Sequence, residues 1–457
     1  MGHAEKKGKI KMTDINTSIS AIPDYWKWFS ESRFGLFIHW GAYSVYGRGE
    51  QVLFREHLDQ NEYTQTACAW NPSKFDATAW ADTAKRAGIK YAVLTTRHHD
   101  GFCLWDSKST DYTTAKQTAG RDFVREYVDA FRATGLKVGL YYSLADWRIP
   151  AYWEGPANDP EGWQSFKGYV HDQVRELLTD YGMIDMLWFD GDWPHSAADW
   201  GSVELIKMIK SLQPHIMVNN RLGSVIDEST GQSIQLGDFG TPEHEIKAES
   251  NRMWESCQVS TWRLWGYTIG ERWRPADVIL DMLVESAGLG GNLLLNVGPD
   301  SKGQLPVQFI EQMKAIGQWL DVHGECIYGS EAGDVCEFVT YGYQTKKGNN
   351  LYLVIRFWDG CETLRLAGLE TKVQSVTLLT TGKELSFQQS EDELIMTGLP
   401  KIPPTNLFPV IRLECVDQPI ARPWAKDRLW CGDPRRMTRW AQQRGSSVYT
   451  NGNVRPE

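Results

Sequence analysis

The sequence lacks any apolar run of the ~18–20 residues that a membrane-spanning helix requires, so no helical span is expected. It has no CxxC pair. Its eight cysteines, Cys68, Cys103, Cys257, Cys326, Cys336, Cys361, Cys415 and Cys431, are scattered along the chain. That spacing argues against a disulfide framework and reads as free thiols in a reducing compartment. Basic residues are not in excess: 48 Lys and Arg face 58 Asp and Glu, giving a net charge of -10. Nucleic-acid binding, which draws on concentrated Lys and Arg, is therefore excluded as an expectation. The polar N-terminal stretch has no apolar core of the signal-peptide kind, which points to a cytoplasmic protein. A phosphate-cradling loop is missing as well. The first candidate strand ends in HWGAYS, and GLGGN at 288–292 precedes a strand instead of opening a helix.

What remains is long and aromatic. A chain of 457 residues points to two or three domains and can bury a core large enough to need no disulfide or metal. The sequence contains 21 Trp. Indole faces stack well on the flat C–H faces of sugar rings, but a Trp-rich core accounts for the count equally well.

Four segments are expected: a leader over 1–22, a catalytic domain over 23–330, a small domain over 331–415 and a tail over 416–457. In the second segment short apolar runs alternate with amphipathic stretches. Candidate strands lie at 35–39, 91–95, 137–142, 186–189, 216–219, 252–255 and 292–296. Candidate helices between them include 77–87, 121–133, 168–181 and 203–211. Such alternation predicts a mostly parallel sheet with helices outside. Runs such as MLWF and NLLLN suit strands covered on both faces. Polar residues gather at successive strand ends, in HW, TRHHDG, YYSLADW, DG, NNR and ES. A (β/α)8-like TIM barrel explains that clustering, because its active site is built at the C-terminal ends of its strands. After 331 short segments at 336–339, 350–356, 362–366, 373–379 and 393–396 are separated by turns, which predicts an all-β sandwich. The tail carries Trp424, Trp430 and Trp440. Three indoles are unusual in a disordered segment, so docking is expected, with a homo-oligomer formed through the tail as one outcome.

Asp190 is the leading candidate for chemistry. In MLWFDG an apolar strand ends abruptly in a carboxylate, which would project into the barrel mouth; a helix N-cap is the alternative. Glycoside hydrolysis needs a second carboxyl group. Glu243, in the irregular stretch DFGTPEHEI, is the first choice for acid/base and Glu255, in MWESC at the end of a candidate strand, the second. His98 and His99, in TTRHHDG, are placed to donate to hydroxyls, and His39 in FIHWG stands at another strand end. Arg221 in NNR could pair with Asp190 or with a ring hydroxyl. Trp40, Trp105, Trp188 and Trp265 are candidates for a stacking wall or for the core.

The segments FGLFIHWGAYS, TTRHHDGFCLWDS, GLYYSLADW, LWFDG, VNNR, WESC, WGY and GGNLLLNVGPDSKG occur in that order. Together they resemble the α-L-fucosidases of glycoside hydrolase family 29 over residues 26–330. The resemblance implies a retaining double displacement without cofactor or metal, acting on fucosylated oligosaccharides or glycoconjugates. It places the nucleophile at Asp190 and fucose contacts at His39, His98, His99, Tyr141 or Tyr142, Trp188 and Arg221, with Glu50 a further candidate. Many relatives carry an aromatic after the Glu50 position, where Gln51 stands here. A tail Trp, from a neighbouring subunit, is one way to fill that gap. A barrel glycosidase for galactose and a non-catalytic sugar-binding protein are the competing readings.

Overall fold

The computed structural model describes residues 9–10, 22–249, 251–333, 335, 339–391 and 393–422. Trp424, Trp430 and Trp440, and with them the docking expected of the tail, lie outside these residues. The chain divides into two compact units, one running to residue 286 and including 291–321, the other made of 287–290 and residues from 322 onward.

The first unit is a parallel barrel. Its strands are β1 (Phe34–Ile38), β2 (Tyr91–Arg97), β3 (Lys137–Ser143), β4 (Met186–Asp190), β5 (Met217–Val218), β6 (Phe239–Gly240), β7 (Met253–Val259) and β8 (Asn292–Val297). They neighbour one another in the order β5-β4-β3-β2-β1-β8-β7-β6. A parallel bridge between Asn219, just after β5, and Phe239 of β6 joins the two ends of that order. Sequence order therefore runs once around the barrel. β1, β2 and β8 are buried along their whole length, because side chains on one face fill the lumen and those on the other meet the helices.

Helices close the outside. Phe123–Ala133 shows the local logic. The Asp122 side chain accepts from the Arg125 amide and caps its start. Phe123, Val124, Tyr127, Val128 and Phe131 form one buried stripe, each such side chain contributing roughly 1.5–3 kcal/mol. Gly135, at φ +80°, lets the chain turn into β3. Among the described residues no helix is long and apolar enough to cross a membrane.

Inside the barrel a layer of Phe37, Tyr91, Val93, Tyr141, Met186, Trp188, Met217 and Leu294 packs together. Space for it comes from Gly35, where an added Cβ would lie 2.3 Å from the Tyr91 ring. The strand expected at 252–255 is longer, so Glu255 occupies the third position of β7 and not its end. β6 was not anticipated.

The second unit is all-β. Its strands are β9 (Gly342–Lys347), β10 (Asn350–Ile355), β11 (Thr363–Ala367), β12 (Val373–Leu378), β13 (Ser386–Gln389), β14 (Glu393–Thr397) and β15 (Val410–Cys415). β9, β10, β15 and β12 lie side by side in one antiparallel sheet; β11, β14 and β13 form another. Leu351, Leu353, Val376, Ile411 and Leu413 of the first share a core with Leu366, Leu394 and Met396 of the second, which makes a sandwich.

Candidate active site

Side chains alternate along a strand, so Met186, Trp188 and Asp190 of β4 share the inward face. Asp190, the last residue of β4, thus stands at the C-terminal mouth of the barrel. Its Oδ2 accepts from the Tyr141 hydroxyl at 2.9 Å and its Oδ1 from Arg221 Nη1 at 3.0 Å. Burial pushes the Asp190 carboxyl up, but the Arg221 guanidinium and the Tyr141 hydroxyl outweigh it and hold it below the ordinary aspartate value. It is ionised at neutral pH, and its side chain is 13 % exposed.

Arg221 also reaches Glu243. Its Nη2 donates to Glu243 Oε2 at 2.7 Å, so one guanidinium spans both carboxylates. The planar fork suits that task, and Trp188 supports it from below with its ring centroid 4.6 Å from the guanidinium carbon. The Glu243 side chain is 38 % exposed and faces solvent.

Glu255 is placed differently. It is fully buried, with Oε2 accepting from the Tyr91 hydroxyl at 2.5 Å and Oε1 from Trp188 Nε1 at 2.9 Å. Burial pushes its carboxyl up to about 7, with both donors pulling the other way. In register it sits opposite Asn292, the first residue of β8, deep in the barrel and away from the mouth. The expectation that Glu255 ends its strand is corrected: polar Glu255, Ser256 and Gln258 hide the full length of β7 from an apolar-run reading.

Three histidines line the mouth, and burial lowers the pKa of each: His39 to about 3, His99 to about 4, His98 well below its usual value. All are neutral imidazoles at pH 7. His39 Nδ1 lies 2.7 Å from Asn296 Oδ1, while Asn296 Nδ2 donates to the Trp265 carbonyl. The amide oxygen is thereby the acceptor, the pattern assigns the proton to Nδ1, and His39 Nε2 is left as an acceptor. His99 repeats this. Ser143 Oγ donates to the Ala145 carbonyl at 2.9 Å and lies 2.6 Å from His99 Nδ1, so Nδ1 carries the proton. Its bare Nε2 stands 3.7 Å from Asp190 Oδ2. The free ring nitrogens of His39 and His99 are thus acceptors, where His99 was expected to be a donor. His98 Nδ1 is buried with no protein partner, a costly state that a ligand hydroxyl would relieve.

Glu50 Oε2 accepts from the amides of Trp265 and Gly266 at 3.2 and 2.8 Å. It fixes the loop that sets Trp265 between His39 and His244, with ring centroids 5.2 and 4.9 Å away. Trp188 forms the floor. Three expected contacts fall outside the site. Trp40 follows inward-facing His39, so it points out of the barrel and packs among Trp70, Phe75, Trp80 and Phe123. Tyr142 likewise follows Tyr141; its hydroxyl donates to Gln173 and its ring lies under Arg97. Trp105 is core, with its indole N–H donating to Glu176. Asn296, Ser143, Trp147 and Trp193 were not anticipated. Asn296 shares the parity of lumen-facing Leu294, which would have marked it.

The family model described as Alpha-L-fucosidase matches residues 3–325. Tissue alpha-L-fucosidase of Bos taurus is 30 % identical over 407 residues, covering 83 % of this chain and 86 % of its own. Among solved structures, alpha-L-fucosidase isoenzyme 1 from Paenibacillus thiaminolyticus is 38 % identical with a TM-score of 0.79, over 86 % of this chain and 99 % of that one. An alpha-L-fucosidase of Bacteroides thetaiotaomicron, solved as a trapped covalent intermediate with 2-fluoro-fucosyl fluoride, is 28 % identical with a TM-score of 0.80, over 91 % of this chain and 100 % of that one. With a barrel mouth built around Asp190 and a family match over most of its length, this chain is a glycoside hydrolase and belongs to the α-L-fucosidase family.

Proposed function

We propose that the protein removes terminal α-L-fucose from fucosylated oligosaccharides or glycoconjugates by retaining double displacement, with Asp190 as nucleophile and Glu243 as acid/base. The observation that carries this reading is the shared guanidinium: Arg221 binds ionised Asp190 with one arm and solvent-reachable Glu243 with the other. A carboxylate oxygen of Asp190 attacks the anomeric carbon, the glycosidic C–O bond breaks, and Glu243 gives its proton to the departing oxygen. Water then attacks the same carbon, Glu243 takes the water's proton, and the Asp190 ester bond breaks. Retaining pairs work at about 5–5.5 Å separation. The contact between Arg221 and Glu243 must open when a sugar enters, freeing Glu243 for its proton. His39 and His99 accept hydrogen bonds from ring hydroxyls, and Trp188 lies beneath the ring. Glu255, with both oxygens engaged at depth, holds Trp188.

A slow-releasing 2-deoxy-2-fluoro-fucosyl donor tests the reading. The expected result is one added fluorofucosyl mass on the peptide containing Asp190, and first-formed fucose of unchanged anomeric configuration by NMR. A label on another residue, or an inverted first product, overturns it.

A further inference from the structure

Beyond the fucose pocket a ridge of aromatic rings leads away from Asp190. It starts on His99, whose ring meets Trp193 at 5.7 Å and Trp147 at 5.0 Å between centroids. Trp147 meets Phe54 at 5.2 Å, and Phe54 stacks with Trp153 at 6.1 Å and an interplanar angle of 12°. These rings come from separate segments: Phe54 after β1, Trp147 and Trp153 after β3, Trp193 after β4. Phe54, Trp153 and Trp193 are each half exposed, at 50, 54 and 52 %. Large aromatic side chains normally bury their area, so a contiguous exposed group beside a site marks a contact surface.

The ridge is also held in place. The Trp147 amide donates to the His99 carbonyl at 2.8 Å. Its neighbours Asp146 and Arg148 are paired through two hydrogen bonds, at 3.0 and 2.7 Å. Trp153 Nε1 donates to the Trp147 carbonyl at 2.9 Å, and the Tyr152 hydroxyl to the Trp193 carbonyl at 2.7 Å. The indole N–H of Trp153 is thus spent on backbone, and what it offers a ligand is its face. Flat apolar faces suit the C–H faces of neutral pyranose rings.

We infer that Phe54, Trp147, Trp153 and Trp193 form a subsite for the neutral pyranose residues of the glycan that carries the fucose. This rests on the fucosidase reading above and adds to it: the protein selects fucose attached to an oligosaccharide over fucose attached to a small group. Continuity with the pocket through His99 supports that occupant over an unrelated partner.

The experiment compares α-L-fucosyl fluoride, which has no sugar beyond fucose, with a fucosylated trisaccharide on the full chain and on Phe54→Ala, Trp153→Ala and the double variant. Neither ring touches Asp190, Arg221 or Glu243, so fluoride turnover is expected to stay within about twofold. On the trisaccharide kcat/KM is expected to fall about tenfold in each single variant, mostly through KM, and Phe54→Tyr to restore it. Equal losses on both substrates, or none on the trisaccharide, overturn the subsite. A lower mass of the double variant in sedimentation, with unchanged substrate preference, makes the ridge a contact between copies of this chain and also overturns it. Failure of the unaltered chain to turn over fucosyl fluoride would instead remove the fucosidase reading itself.

Discussion

His99 Nε2 faces Asp190 Oδ2 across 3.7 Å as one acceptor facing another. No hydrogen bond closes that gap, and a substrate hydroxyl fits it by offering its proton. His99→Leu is therefore expected to lower kcat/KM about 2- to 10-fold, the worth of one hydrogen bond between neutral partners. Monodeoxy fucosides identify the hydroxyl. For one of them the substitution should cost nothing further. An equal penalty on every deoxy sugar would mean that His99 acts only through packing.

The roles of the two glutamates separate by leaving group. Glu243→Gln is expected to lose about 10²–10⁴-fold with alkyl or sugar leaving groups, and much less with dinitrophenol, which departs without a proton. Azide should rescue it and give the azide of retained configuration. Glu255→Gln should show the same modest loss across all leaving groups, because it acts through Trp188. Steady-state kinetics over a series of aryl fucosides decides between them; a steep leaving-group dependence for the Glu255 variant would reverse the assignment.

Most of the barrel was legible because strands covered on both faces leave uninterrupted apolar runs. MLWF and NLLLN mark β4 and β8 in this way. β6 was not legible: it is two residues long and sits in DFGTPE, which has no periodicity. β7 was cut short because its lumen face carries Glu255 and its neighbours Ser256 and Gln258 are polar too, though all three are buried. The site shows a second kind of limit. In His39–Trp40 and in Tyr141–Tyr142 one residue faces the lumen and the next faces the helices. Composition cannot choose between neighbours; only strand register does. The neutral tautomers of His39 and His99 depend on Asn296 and Ser143, partners far away in sequence.

Trp40 and Tyr142 supply the contrasting test. Trp40→Ala should destabilise the protein by about 3–5 kcal/mol in urea unfolding, since it opens a cavity among buried rings. At temperatures where it remains folded its kcat/KM should match the parent. Tyr142→Phe should likewise leave kcat/KM unaffected. A selective loss of kcat in either, with stability unchanged, would return that residue to the pocket.

Glu255 gives a prediction with a definite sign. Its folded carboxyl sits at about 7, against an ordinary glutamate value of 4.5. Between those two values the folded chain holds a proton there that the unfolded chain has released. Stability from this group is therefore fully present below about pH 4.5 and is lost as pH rises through about 7. His39 and His99 act in the opposite sense. Their folded values lie near 3 and 4 against 6.5, so the unfolded chain binds more protons in that range and stability falls as pH drops below about 6.5. Because these slopes oppose, the pH profile of the parent alone does not isolate Glu255, and the difference between parent and variant is the informative quantity. Glu255→Gln removes only the glutamate slope. Its amide oxygen can still accept from Trp188 Nε1, and its amide nitrogen can donate to the Tyr91 oxygen, reversing that one bond. Relative to the parent, the variant should be less stable or equal at pH 5, gain as pH rises to about 7 and level off above it, read as the difference in Tm across a buffer series. A difference that is flat with pH would show that the carboxyl keeps its ordinary value despite complete burial, and that the proton at the barrel floor is not Glu255's.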